Sequence, residues 1–199
     1  MSANATSAEA SPFERPSARE RQRQRTRARL FDAALAEFAR AGFAGASVAE
    51  IARVAGVSRP SFYFHFPTKE HVLLELEWHK ELEMVARLEG HPTLRALLDA
   101  MPDAIVDVYA SIEGPGVARD MVMIYARSPE YLPLSEQPYP LVRLLDGRFH
   151  EGAQRGELRE GLEPRQATFL CLTAVFGYLI SGLPAQREDL RAAVGLYLR

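Results

Sequence analysis

The stretch from Ser47 to Glu70, SVAEIARVAGVSRPSFYFHFPTKE, constrains the fold more than any other part of the chain. Ser47 followed by Glu50 is a capping box, so a helix is predicted to start there. Val48, Ile51, Ala52 and Ala55 then fall on one face at helical spacing, while Glu50 and Arg53 point the other way. Gly56 stops the helix, because glycine takes the left-handed conformation without steric cost. Ser58 is placed to cap the next helix, in which Pro60 is tolerated because first-turn N–H groups have no intrahelical partner. Two short helices meeting across a tight turn with glycine form the helix-turn-helix signature. An aromatic run follows, and Thr68 is expected to cap a third, longer helix reaching about Glu89.

This segment resembles the DNA-binding region of the TetR family of transcriptional regulators, whose pattern is of the type T-x-x-x-IA-x-x-AGVS-x-x-x-FY-x-HF-x-x-KE-x-L. The matching residues are Ile51, Ala52, Ala55, Gly56, Val57, Ser58, Phe62, Tyr63, His65, Phe66, Lys69, Glu70 and Leu73, with Ser47 where the family often has Thr. The match runs from about Arg27 to Leu74; beyond it only the layout of helices is similar. The resemblance implies an all-α fold with an N-terminal three-helix head and a C-terminal helical domain for effector binding and dimerisation. The expected division is a disordered tail over 1–18, a DNA-binding head over 19–66, and an effector-binding and dimerisation domain over 67–199.

A formal net charge of -2 is unusual for a nucleic-acid binder, so the distribution matters. Residues 1–70 hold eleven Arg or Lys against seven Asp or Glu, and residues 71–199 hold thirteen against nineteen. Basic charge is therefore segregated into the segment that carries the motif, as an electrostatic footprint for DNA requires. Arg15, Arg19, Arg21, Arg23, Arg25, Arg27 and Arg29 form a comb ahead of it. One reading is a basic arm on DNA phosphates or in the minor groove, with Arg25 and Arg27 as contacts; the other is a solvated helix start. One cysteine, Cys171, excludes an internal disulfide and suits a reducing cytoplasm. No apolar h-region follows the polar N-terminus, and the longest apolar run, Phe169 to Leu183, is too short and too interrupted to span a bilayer.

A first helix over about Arg19 to Ala41 carries Leu30, Phe31, Ala34, Leu35 and Phe38 on one stripe, and Gly42 ends it. Phe31, Leu35, Phe38, Phe43, Val48, Ile51, Val57 and Phe62 are the expected core of the head. The recognition helix, about Arg59 to His65, would lie in the major groove. Arg59 suits guanine O6 and N7 or a phosphate, Pro60 a thymine methyl, and Ser61 a base or a phosphate. By resemblance, Tyr63, His65, Lys69 and the hydroxyl of Ser47 belong on phosphates. The long helix after Thr68 starts beside the DNA and ends in the second domain, and in the family it is the lever between ligand and operator. His71, Glu75 and His79, at four-residue steps, are either a weak metal set or a charged face, and no metal site or cofactor is expected.

Helices are predicted over about Thr93 to Glu113, with Pro102 a potential kink, and over Val117 to Arg127 after the break at Gly114-Pro115-Gly116. A connection with Pro129, Pro133, Pro138 and Pro140 leads to a helix over Leu141 to Gln154. Trp78, Met101, Tyr109, Met121, Tyr125 and Phe149 are read as the lining of an effector pocket, a reading that rests on the resemblance, or else as plain helical core. Arg165 to Gly182 is apolar nearly all round, so one face needs a partner subunit. Ala174, Gly177, Tyr178 and Ser181, with Leu190 and Val194 of a last short helix, are the expected homodimer interface. The leading expectation is a ligand-responsive dimeric repressor, cytoplasmic, bound to a double-stranded pseudo-palindromic operator and released by a small lipophilic effector. A regulator without small-molecule effector, acting constitutively or through a protein partner, is the alternative. G-x-S-x-G, P-loop, dinucleotide-glycine and H-E-x-x-H patterns are all lacking, so an enzyme is not expected.

Overall fold

The computed structural model describes residues 17–114, 116–127, 139–181 and 187–198. Among them the chain forms nine helices: α1 (Ala18–Gly45), α2 (Val48–Val54), α3 (Arg59–His65), α4 (Glu70–Leu88), α5 (Leu94–Ala110), α6 (Val117–Arg127), α7 (Pro140–Gln154), α8 (Pro164–Ser181) and α9 (Arg187–Gly195). The expected tail up to residue 16, and Pro115, Pro129, Pro133 and Pro138, lie outside the described residues. No described helix is long and apolar enough to cross a membrane.

Local chemistry sets most of the helix ends. Ser17 and Glu20 form a complete capping box at the start of α1: the Glu20 amide donates to the Ser17 hydroxyl at 3.1 Å and the Ser17 amide to the Glu20 carboxylate at 2.6 Å. Gly42 breaks the helical geometry of α1 with φ 70° and ψ 163°, and the chain turns so that Phe43 packs edge-on against Phe38 at 5.3 Å. After α2, Val57 N–H donates to Ala52 O and Gly56 N–H to Arg53 O, a Schellman closure that needs the left-handed Gly56, φ 66°. Ser58 accepts from the Ser61 amide and starts α3, with Pro60 in the first turn.

Two expected caps differ. Glu50 does not close a box on Ser47, because its carboxylate is bonded to Arg53; the Ser47 amide donates instead to Glu37 of α1. Thr68 does not cap α4 either, since its hydroxyl meets the His71 ring at 3.0 Å and Lys69 occupies the N-cap position. Pro102 sits inside α5 without ending it.

The buried apolar side chains divide into two clusters. One unites α1, α2 and α3 with the first half of α4 (Val72, Leu73, Leu76) and one side of α6 (Val117, Met121, Ile124). The expected head core is inside it, with Phe31, Phe38, Phe43, Ile51 and Phe62 buried and Leu35, Val48 and Val57 packed against them. The other unites the second half of α4 with α5, α7, α8 and α9. Helix α4 therefore belongs to both. Side chains as large as Phe38, Phe62, Phe66 and Phe149 are wholly buried, each contributing about 1.5–3 kcal/mol over its exposed state.

The turn between α5 and α6 is pressed onto α1. A Cβ at Gly114, φ 104°, would lie 2.6 Å from Ala39 Cα and 2.9 Å from Phe38 O, whereas one at Gly116, φ 74°, would meet nothing within 4 Å. Gly114→Ala should therefore cost about 2–4 kcal/mol, combining backbone strain with overpacking, and Gly116→Ala only about 1 kcal/mol. Urea unfolding of the two variants beside the parent chain checks this, and equal losses would remove the close contact as the cause.

Candidate nucleic-acid interface and buried cleft

Helix α3 presents its polar first turn to solvent because its apolar residues are anchored behind it. Phe62 and the following Phe66 are fully buried, 5.9 Å apart between ring centroids, and Arg59, Pro60 and Tyr63 are left outside. Arg59 lies over the Tyr63 ring at 5.8 Å, and no carboxylate pairs with it among the described residues. Ser61 is half-buried at the rim of a groove of about 440 Å³ that also takes in Arg19, Arg23, Thr26 and Phe64. Arg23 of α1 stands 5.5 Å over Phe64, which is 69 % exposed on α3. Arg25 is exposed; by helical spacing it shares a face with Arg29, beside the α2 turn.

Three residues expected on phosphate are engaged inside the protein. Lys69 donates to Phe43 O at 2.8 Å, Ala46 O at 3.0 Å and Ala44 O at 3.5 Å, which uses all three ammonium hydrogens on carbonyls at the end of α1. Arg27 bonds both the His65 carbonyl and the Glu75 carboxylate, and stacks over Phe66 at 4.1 Å. His65 is only 9 % exposed, with Nδ1 unpartnered among the described residues, and burial, helped by Arg23 and Arg27, pushes its pKa down. The Ser47 side chain is exposed, as a backbone contact requires.

On the far side of α4 lies a feature that the sequence reading missed. Glu77 is 2 % exposed and Glu81 7 %, one turn apart, in a cleft closed by Met84, Tyr109 of α5, Leu141 and Val142 of α7, and Leu172, Val175, Phe176 and Leu179 of α8. Tyr109 donates its hydroxyl to Glu77 Oε1 at 2.9 Å, and the Leu141 amide, in the first turn of α7, donates to Glu81 Oε2 at 3.1 Å. Glu77 Oε2 has no partner among the described residues. Burial raises Glu77 to about 7, with Tyr109 pulling the other way. Burial and then the neighbouring Glu77 raise Glu81 to about 8, against the Leu141 amide. The free space is about 20 Å³, room for about one water.

A family model described as bacterial regulatory proteins, tetR family, matches residues 30–76. The chain belongs to the TetR family. Its relatives include the fatty acid metabolism regulator protein of Bacillus subtilis, 27% identical over 142 residues that cover 69% of this chain and 73% of that one. A solved structure described as the molecular basis for control of antibiotic production by a bacterial hormone superposes with a TM-score of 0.60 and 25% identity, over 87% of this chain and 97% of that one. RolR in complex with resorcinol superposes with a TM-score of 0.63 and 17% identity over 89% of each chain, which shows the shared fold. This chain is thus an all-α, helix-turn-helix, DNA-binding transcriptional regulator.

Other expected placements need correction in this TetR-family chain. Of the predicted pocket residues only Tyr109 lines the Glu77–Glu81 cleft. Met101 and Phe149 are wholly buried core, Met121 is packed into the head cluster, and Trp78 faces a different recess and Tyr139. The Tyr125 and Ser181 side chains lie outside the described residues. Leu190 and Val194 cannot meet a partner, because α9 turns them into the chain's own core while Arg187 and Arg191 grip Asp103 and Asp107 of α5. Helix α8 does leave Phe169, Leu170 and Ile180 exposed, at 66, 43 and 37 %, on the face that also holds Gly177 and half-buried Ala174, whereas Tyr178 packs partly on the core. His71, Glu75 and His79 are separately engaged with Thr68, Arg27 and Phe31.

Two outcomes follow from this geometry. Lys69→Gln should lower thermal stability and weaken DNA binding while leaving the slope of log affinity against log salt unchanged, whereas Arg59→Ala should reduce that slope by about 1 if its contact is ionic. Filter binding across a salt series separates them. For the buried acids, the folded pKa lies above the ordinary 4.5, so the native state holds more protons and stability falls as pH rises from about 4.5 to about 8. The melting temperature should drop over that window, and Glu77→Gln should flatten the drop in a pH series of thermal melts.

Proposed function

We propose that this TetR-family regulator is a cytoplasmic homodimeric repressor, binding a pseudo-palindromic operator through paired α3 helices and released by a small lipophilic effector held against α4. One observation carries the reading: α4 contributes Val72, Leu73 and Leu76 to the head core and Glu77, Glu81 and Met84 to the cleft, so both sites share one rigid element. Arg59 and Pro60 are assigned to base edges and Ser61, Tyr63, Ser47 and Arg25 to base or backbone, with Arg19 and Arg23 added from the groove beside α3. The exposed stripe on α8 is assigned to an isologous two-fold contact, which spaces the two heads by about one DNA turn, roughly 34–36 Å.

Release would be a population shift: a ligand that binds better to a form with mis-spaced heads disfavours DNA by its differential affinity for that form. The RolR complex with resorcinol supports a small aromatic occupant, and the SmeT–triclosan complex a lipophilic one. The small free volume of the cleft favours a second reading, a regulator without any small-molecule effector. A thermal-shift screen against a broad panel of small apolar compounds decides between them, since only a true effector stabilises by mass action.

Sequencing the DNA retained from a random duplex pool tests the main proposal: an inverted repeat with half-sites about one turn apart is expected, and no enrichment would refute it. Phe169→Glu should give a monomer in sedimentation velocity and lower affinity for that duplex at least about 100-fold, because each half-site is then bound alone.

A further inference from the structure

The Glu77–Glu81 cleft carries more chemistry than an apolar pocket needs, and resting on the effector reading above, its contents restrict the ligand class. We propose that it is a recognition site for a lipophilic monocation, with the ammonium of an amine-bearing ligand bridging Glu77 Oε2 and the Glu81 carboxyl while its apolar body lies among Met84, Leu172, Phe176 and Leu179.

Glu77 is 2 % exposed, yet one carboxylate oxygen has no hydrogen-bond partner among the described residues and the side chain lines the free space of the cleft. An acceptor in that position, left unmade, costs about 1–3 kcal/mol, and it is repaired by a donor brought from outside. Apart from the Glu81 carboxyl, which makes no hydrogen bond to it, the lining offers none: its other members except Tyr109 are apolar, and the Tyr109 hydroxyl already donates to Oε1. Lys80, the nearest basic residue in sequence, is turned away to Glu83 and Ser111. A neutral hydroxyl would satisfy one acceptor. An ammonium brings three donors, enough for both carboxyls, and its charge lowers the cost of two acids sharing a dry cleft. An anionic head group would be repelled by whichever of the two acids is ionised and gains nothing from either that is not, so it is disfavoured. The present space of about 20 Å³ suits the head group alone; the body must enter by displacing Met84 and the α8 side chains, which are apolar and adaptable.

The test uses three compounds with one apolar body and different head groups, phenylbutylamine, phenylbutanol and phenylbutyrate, titrated calorimetrically into the full chain. The amine should bind about tenfold or more tightly than either analogue. Glu77→Gln and Glu81→Gln should each remove that advantage and leave the alcohol unaffected; Leu172→Trp, which fills the cleft, should abolish binding of all three. If the alcohol or the acid binds the parent chain as well as the amine does, the cation assignment is wrong. The same holds if the amine keeps its affinity in both Gln variants. In either case loss of binding in Leu172→Trp would leave the effector cleft itself standing. Failure of all three to bind the parent chain overturns both. The comparison of head groups in the parent chain decides the matter even where a Gln variant does not fold.

Discussion

A single guanidinium fixes the orientation of the DNA-reading helix. Arg27 of α1 reaches the carbonyl that ends α3 and the Glu75 carboxylate of α4, and lies flat against Phe66 between them. Each is a charge-assisted or cation–π contact, in a half-buried setting where such contacts are stronger than in water. Lys69 does the same on the opposite side of the α3–α4 junction, gathering three carbonyls from the end of α1. The exposed first turn of α3 is aimed by these two cations together with the buried Phe62 and Phe66 behind it. Basic residues in a DNA-binding head are therefore of two kinds, and only those without an internal partner can be offered to phosphate.

The second arrangement runs against stability. Placing two carboxyls among Met84, Leu172, Val175 and Leu179 costs desolvation that an apolar pair of similar size would not incur. The protein limits the cost by letting the acids hold their protons and by supplying one donor to each, Tyr109 to Glu77 and the Leu141 amide to Glu81. The Leu141 bond also satisfies a first-turn amide of α7 that has no partner within its own helix. Half of the arrangement thus has a structural purpose. The unpartnered Glu77 Oε2 has none inside this chain, and a local conflict of that sort is expected where function, not folding, selects the residue.

How much of this was legible depends on which interactions are local. The helix-turn-helix was readable because its signals act over a few residues: Ser58 caps Ser61, and Gly56 closes on Ala52 and Arg53. The Ser47–Glu50 box was half wrong because a distant residue, Glu37, took the Ser47 amide. The internal partners of Lys69 and Arg27 were missed for the same reason, since a basic side chain looks alike whether its partner is a phosphate or a carbonyl brought from 23 or more residues away. Glu77 and Glu81 left a usable signal, because they fall in line with Leu73, Met84 and Leu88 on the apolar stripe of α4. The residues of α9 expected at a dimer interface lie in the chain's own core, because periodicity shows which side is apolar, not what covers it; α5 covers it, with Arg187 and Arg191 on its acidic flank.

The geometry of α4 joins the two arrangements. Glu75 and Glu77 are two positions apart, so they project roughly 200° apart around the helix axis and are separated by about 3 Å along it. One grips Arg27 on the head side, and the other faces the cleft. Side-chain tips lie about 5–6 Å from a helix axis, so a turn of α4 by about 10° moves the Glu75 carboxylate by about 1 Å. That is enough to lengthen a hydrogen bond beyond its useful range. An occupant entering between α4 and α8 has to displace side chains on α4 by at least that much, since the cleft now holds only about one water. Loosening the Arg27–Glu75 contact would free the end of α3 from α4, while the apolar contacts of Leu73 and Leu76 would keep the head folded. Under the proposed effector reading, release would need no large rearrangement in either half, only one helix whose opposite faces cannot both be satisfied once the cleft is filled.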